Sequence, residues 1–139
     1  MICYFDTSAL VKLWLEEEDG DEVDALWWAA TARVTSVISY AESRAALAAA
    51  TRANRLTRSG LAEAKATLEA HWGELEAVQV DEALVRFAGD VAERERLRGL
   101  DALHLASALE GARGGTLTFV TWDIALRRAA RRVGLAVPA

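Results

Sequence analysis

The chain has little cysteine, little proline and no long uninterrupted apolar run. A single cysteine, Cys3, among 139 residues excludes an internal disulfide, and its place in an apolar run reads as a small buried hydrophobe in a cytosolic setting. One proline and an aromatic share of only 7%, with apolar content dominated by Ala, Leu and Val, argue against a β-sandwich or barrel and for helices. The most apolar N-terminal stretch, Ile2 to Leu15, is interrupted by Asp6 and Lys12. It therefore lacks both a signal-peptide core and the roughly 18 apolar residues of a membrane span, and a soluble, unprocessed protein is expected. Lysine is scarce as well, with Lys12 and Lys65 against 14 arginines. Arginine suits bidentate phosphate contacts, and a GC-rich genome enriches it too.

The 53% hydrophobic content suffices for the core of one domain spanning residues 1–139. Net charge is −5, which taken alone argues against electrostatic binding of nucleic acid.

Strand and helix signals alternate along the chain. ICYFD reads as a strand, followed by a helix through SALVKLWLEE that ends near Gly20. A second helix over 21–30 places Val23, Leu26, Trp27 and Ala30 on one stripe and leaves Trp28 off it. RVTSV is a second strand feeding a helix over 38–53. A helix over 59–75, with Ser59 as its N-cap, leads to a third strand, AVQV, and then to a helix from Asp81 to about Leu97. Gly99 breaks the pattern before the nearly continuous apolar helix around Asp101–Leu109. TLTFV is a fourth strand, Thr121-Trp122-Asp123 opens an Arg-rich helix, and Leu135–Val137 forms a last short strand. Strands separated by helices imply parallel pairing through right-handed crossovers. The expectation is an α/β fold: a three-layer α/β/α sandwich with a mostly parallel sheet of about five strands. Ligands of such sheets bind outside the carboxyl ends of the strands, where strand order reverses.

Four carboxylates fall at that edge. Asp6 closes the first strand, Glu42 lies one turn into the helix after the second, Asp123 follows the fourth, and Asp101 opens a buried helix. Converging carboxylates repel by about 4 kcal/mol per pair at 4 Å and an effective dielectric near 20, so cations are needed to hold them together. Hard oxygen donors without His or Cys select Mg²⁺ or Mn²⁺, and the chemistry that follows is phosphodiester hydrolysis by activated water, with one ion or two. A second reading stands beside this one: Asp6, Asp101 and Asp123 all occupy helix starts, where Asp is a favoured N-cap worth about 1 kcal/mol. Glu42, inside its helix, is not open to that explanation; its alternative is an exposed or Arg-paired Glu.

The segments YFDTSALVKL, SYAESRAAL, LRGLDALHLASAL and TFVTWDIALRRAA resemble, in order and spacing, the PIN domain, and within it the VapC-type toxins of bacterial toxin–antitoxin pairs. The resemblance covers the whole chain. It implies that Asp6, Glu42, Asp101 and Asp123 bind Mg²⁺ or Mn²⁺ and that Thr121 helps order the site. It also implies that the protein cleaves RNA, is held inactive by a cognate antitoxin and forms a homodimer. Setting the four acids aside leaves 17 acids against 16 bases, so cations bound there would turn the crevice toward phosphate.

Three further features have two readings each. His104, three residues after Asp101, shares its helical face; a packed, locally bonded histidine is favoured over a metal or acid–base role. His71 reads as a surface or boundary residue. The multiply apolar first helix and Trp28 suit either a partner surface for an antitoxin helix or ordinary packing. Arg127, Arg128, Arg131 and Arg132 suit either helix-dipole compensation or phosphate or antitoxin contact, and Arg44 either role. A receiver domain or aspartyl phosphatase would need a second acid beside Asp6 and a late Lys, and neither is present. The remaining alternative is a non-catalytic PIN-like module that binds RNA or protein.

Overall fold

A computed structural model describes residues 1–15 and 18–138. The elements run β1 (Ile2–Phe5), α1 (Thr7–Trp14), α2 (Gly20–Ala29), β2 (Ala32–Ser36), α3 (Ile38–Arg52), α4 (Arg58–Trp72), β3 (Glu76–Val78), α5 (Glu82–Glu95), α6 (Gly99–Ala112), β4 (Thr118–Val120) and α7 (Ile124–Arg132). All three strand pairings are parallel and the order is β3-β2-β1-β4. Side chains alternate across the strands, as a pleat with a period of two residues requires. Cys3, Phe5 and Val120 pack with α1 to α4, around Leu10, Trp27, Leu47 and Leu68. Tyr4 and Phe119 pack on the other face with α5 to α7, around Val91, Leu105 and Leu126. The fold is thus the expected three-layer α/β/α sandwich. β1 is its centre, with Cys3, Tyr4 and Phe5 fully buried, which is why the strand reads as a continuous apolar run rather than an alternating one. Gly111 lets α6 lie close on the sheet, since a Cβ there would stand 3.2 Å from Val34 Cγ1.

Several boundaries differ from the expectation. The sheet has four strands rather than about five: Leu135–Val137 contributes only a parallel bridge, Thr118 to Ala136. The Phe119 N–H donates to the Ala136 carbonyl at 2.8 Å, but Pro138 has no N–H with which to continue a ladder. α4 starts one turn's fraction earlier than Ser59 because Thr57, not Ser59, is the cap, accepting from Gly60 N–H at 3.0 Å. The third strand sits at 76–78 rather than 77–80. The first helix ends at Trp14, with Leu15 extended as its C-cap, rather than near Gly20, which instead begins α2; Glu16 and Glu17 lie outside the described residues. Among the described residues no helix is long and apolar enough to cross a membrane.

The strand order fixes where chemistry can sit. From β1 the chain moves to β2 and β3 on one side and returns to β4 on the other, so order reverses between β1 and β4. The loops leaving those two strands open the crevice. They carry Asp6 and Asp123.

Candidate active site

Asp6 is held on every side. Its backbone N–H extends the sheet to the Val120 carbonyl at 3.2 Å. Its Oδ1 accepts from Ala9 N–H at 3.0 Å, capping α1, and from Ser8 Oγ at 2.7 Å. Its Oδ2 accepts from Thr121 Oγ1 at 2.5 Å. Only 4% of the residue is exposed. Burial therefore pushes its carboxyl up, against the hydrogen bonds from Thr121, Ser8 and Ala9 and the nearby His104, because desolvation penalises the charged form. Asp6 is both a cap and a buried acid; the cap alone does not require that burial.

Two hydroxyls join the β1–α1 turn to the β4–α7 turn. Thr121 Oγ1 donates to Asp6 and accepts from Asp123 N–H at 3.1 Å, and Ser8 Oγ accepts from Trp122 N–H at 3.0 Å. Thr121 thus orders Asp6 directly, beyond what a strand-end threonine would do. Asp123 caps α7 through Oδ1, 2.9 Å from Leu126 N–H, and is exposed. Arg127 donates to the Thr121 carbonyl at 2.9 Å, and Arg132 pairs with Glu95 at 2.7 Å.

Glu42 projects from α3 and is half-buried. Burial would raise its carboxyl, but the hydrogen bonds from His104 Nε2 and Thr7 Oγ1, each 2.7 Å from Oε1, outweigh that and hold it below the ordinary range. Arg44, two residues on, donates instead to Tyr40 Oη at 3.0 Å. Asp101 is not a cap. The N-terminal flanking residue of α6 is Arg98, and Asp101 sits within the first turn. Its carboxyl is pushed up by burial first and then by the negative charge of Asp123, with Glu42 adding to the effect and His104 and Arg98 opposing it.

All four acids thus occupy one end of the sheet, where Asp101 feels both Asp123 and Glu42. They are not gathered into a finished coordination sphere: among the described residues, no three His, Cys, Asp or Glu side chains stand close enough to hold a metal ion. The oxygens of Asp6 and Glu42 are turned to hydroxyls and an imidazole. The donor set nonetheless fits a hard divalent cation, because it consists of carboxylate oxygens without a histidine or cysteine ligand.

Sequence reasoning passed over part of this network. Thr7 and Ser8 carry no weight in the pattern beyond following Asp6, yet each holds a carboxylate. His104 is packed, with 3% exposure, but its bonds run to Tyr4 on β1 and Glu42 on α3 rather than to its own helix. The i, i+3 spacing from Asp101 was the available signal. His71 lies at a boundary as expected, but it accepts from Trp14 Nε1 at 2.9 Å and packs on Trp27 with centroids 4.6 Å apart.

Comparison with known proteins agrees with the geometry. The PIN domain family model matches residues 3–132. Ribonuclease VapC49 of Mycobacterium tuberculosis is 40% identical over 136 residues, covering 98% of this chain and 94% of that protein. Two solved structures share the fold at low identity. FitAcB from Neisseria gonorrhoeae has a TM-score of 0.71 and 19% identity, covering 99% of this chain and 97% of the other. A toxin–antitoxin complex from Klebsiella pneumoniae has a TM-score of 0.67 and 16% identity, covering 99% and 96%. With its fold, its full-length likeness to a VapC ribonuclease and its acids at the reversal of strand order, the chain belongs to the PIN-domain family, in the VapC group.

Proposed function

We propose that the protein is a Mg²⁺- or Mn²⁺-dependent endoribonuclease, the toxin of a type II toxin–antitoxin pair. In this reading Asp6, Glu42, Asp101 and Asp123 hold the metal. The observation that supports the proposal is the placement of Asp6 and Asp123 in the loops that leave β1 and β4 at the reversal of strand order, with Glu42 joined to the β1–α1 turn through Thr7 and to the Asp101-bearing helix through His104. When bound, a divalent cation there supplies activation of the attacking water and charge stabilisation at the scissile phosphate. The chain's own residues prepare the edge. Ser8, Thr121 and the start of α1 fix Asp6 beneath it, Thr7 and His104 orient Glu42, and the exposed Asp123 beside the half-buried Asp101 leaves a side open to an RNA phosphate. No protein nucleophile is required.

A cognate antitoxin fits the same reading, since a related fold is a toxin–antitoxin complex. A groove of about 1060 Å³ between α1, α2 and α4 has Leu13, Trp14 and Leu56 in its wall beside Lys12, Asp24 and Glu63. Such a mixed wall suits an amphipathic helix. The exposed Trp28, at 69%, is a further contact in this reading, and a homodimer is expected.

Purified antitoxin-free protein incubated with total cellular RNA should cut it in the presence of Mn²⁺ or Mg²⁺ and stop with EDTA. Mapping of RNA 5′ ends would give the target, with Asp6→Asn as the inactive control. Intact RNA under all metal conditions would leave the non-catalytic binding module as the reading.

A further inference from the structure

Tyr4 lies in the middle of the central strand, fully buried. It is stacked on Phe119 with centroids 5.3 Å apart and planes within 5°. A phenol placed there could be replaced by phenylalanine without loss of packing unless its hydroxyl has work to do. That hydroxyl is 2.8 Å from His104 Nδ1, and the opposite ring nitrogen, Nε2, is 2.7 Å from Glu42 Oε1. The three residues come from β1, α6 and α3, so the chain of contacts crosses from one helical layer to the other around the end of the sheet.

For the neutral imidazole the direction of these bonds follows from what each group can do. Glu42, as a carboxylate, only accepts, so Nε2 carries the proton. Nδ1 of a neutral imidazole is then an acceptor, and the Tyr4 hydroxyl is its donor. Both ring nitrogens are satisfied, as a buried imidazole requires. Thr7 also holds Glu42 Oε1 at 2.7 Å, but it approaches from α1. The imidazole alone ties the carboxylate to the helix that bears Asp101.

Resting on the nuclease reading above, we propose that Tyr4 and His104 are positioning residues. Glu42 sets the Nε2–H tautomer of His104, Tyr4 holds the ring in place at Nδ1, and His104 in turn holds the Glu42 carboxylate at the metal-binding edge. Groups that hydrogen-bond to a metal-ligating side chain set its orientation, and losing one weakens metal binding about 10–100-fold.

The full-length chain supports a two-part test. In metal-free protein labelled with ¹⁵N-histidine, the His104 resonances, assigned by their loss in His104→Gln, should show the Nε2–H tautomer, and Tyr4→Phe should move the Nδ1 resonance, which loses its donor, while His71 stays unchanged. Titration with Mn²⁺ should show His104→Leu binding about 10–100-fold more weakly than wild type. His104→Gln, which restores an N–H donor, should recover most of the loss. An Nδ1–H tautomer or an imidazolium protonated at both nitrogens in the wild type overturns the proposal, as does wild-type Mn²⁺ affinity in a cooperatively folded His104→Leu. Should His104→Leu fail to fold, Tyr4→Phe decides: an unchanged Nδ1 resonance rejects the relay and a moved one supports it. A wild type that neither binds Mn²⁺ nor cuts RNA defeats the nuclease reading, whereas the tautomer measurement still judges the relay.

Discussion

The chain's two histidines sit on opposite sides of the sheet in contrasting company. His104, on α6, joins a phenol to a carboxylate among hydroxyls and acids, and the carboxyls of Asp6 and Asp101 are pushed up by burial. His71, on α4, joins two indoles: it accepts from Trp14 and lies against Trp27, which in turn packs on Phe5 with centroids 5.5 Å apart. The first region holds charge in a place that disfavours it. The second removes apolar surface from water, the larger source of stability. In the proposed reading the carboxylate edge carries function and the aromatic side cohesion, and substitutions can test whether the two are separable.

The largest expected effect is on cohesion. Trp27→Ala removes a side chain that is 1% exposed and should destabilise the fold by about 3–5 kcal/mol, read from urea unfolding. Protein that remains folded should keep its Mn²⁺ affinity. A parallel loss of affinity in the folded fraction would mean that the two regions are coupled and would break the comparison.

Next comes a change at the edge that spares the fold. Asn caps helices as well as Asp does, so Asp123→Asn should keep the bond to Leu126 N–H and alter stability by no more than about 0.5 kcal/mol. RNA cleavage should fall by at least about 100-fold, since losing a ligand costs no less than losing a group that merely orients one. Unaltered cleavage would return Asp123 to a capping role alone.

Much of this arrangement was legible in the sequence, for identifiable reasons. The alternation of strand and helix signals gives the layers, and strand-end acids point to the crevice because parallel sheets place their loops there. Asp101 misled as a cap because Gly99 reads as a break ahead of the helix, whereas α6 already begins at Gly99 and Arg98 flanks it. The terminal strand was overcounted because Leu135–Val137 has strand composition, and one proline ends its pairing. The Tyr4–His104–Glu42 contacts span separations of 100 and 62 residues. Periodicity reports only which face a residue shares within its own element, so contacts of this kind could not be read from it. Thr57 and Ser59 both make plausible caps, and only geometry chooses between them.

The smallest expected effect is a pH dependence that the two regions should show in different windows. Burial lowers His71 from its ordinary value of 6.5, with Arg33 adding to the shift and Glu74 and Asp24 opposing it. A lowered value means that the unfolded chain takes up the proton first. Stability from this group is therefore complete above pH 6.5 and declines as pH falls through the folded value. Asp6 and Asp101 have the opposite sign: raised by burial above the ordinary value of 3.8, they favour folding once protonated, so acidification further down relieves the edge. The urea midpoint of wild type relative to His71→Gln should fall as pH drops below about 6.5, through the lost Trp14 contact, and leave the more acidic trend unchanged. A flat difference across that range would show that the indole–imidazole bond does not respond to protonation and that His71 acts only through its packing on Trp27.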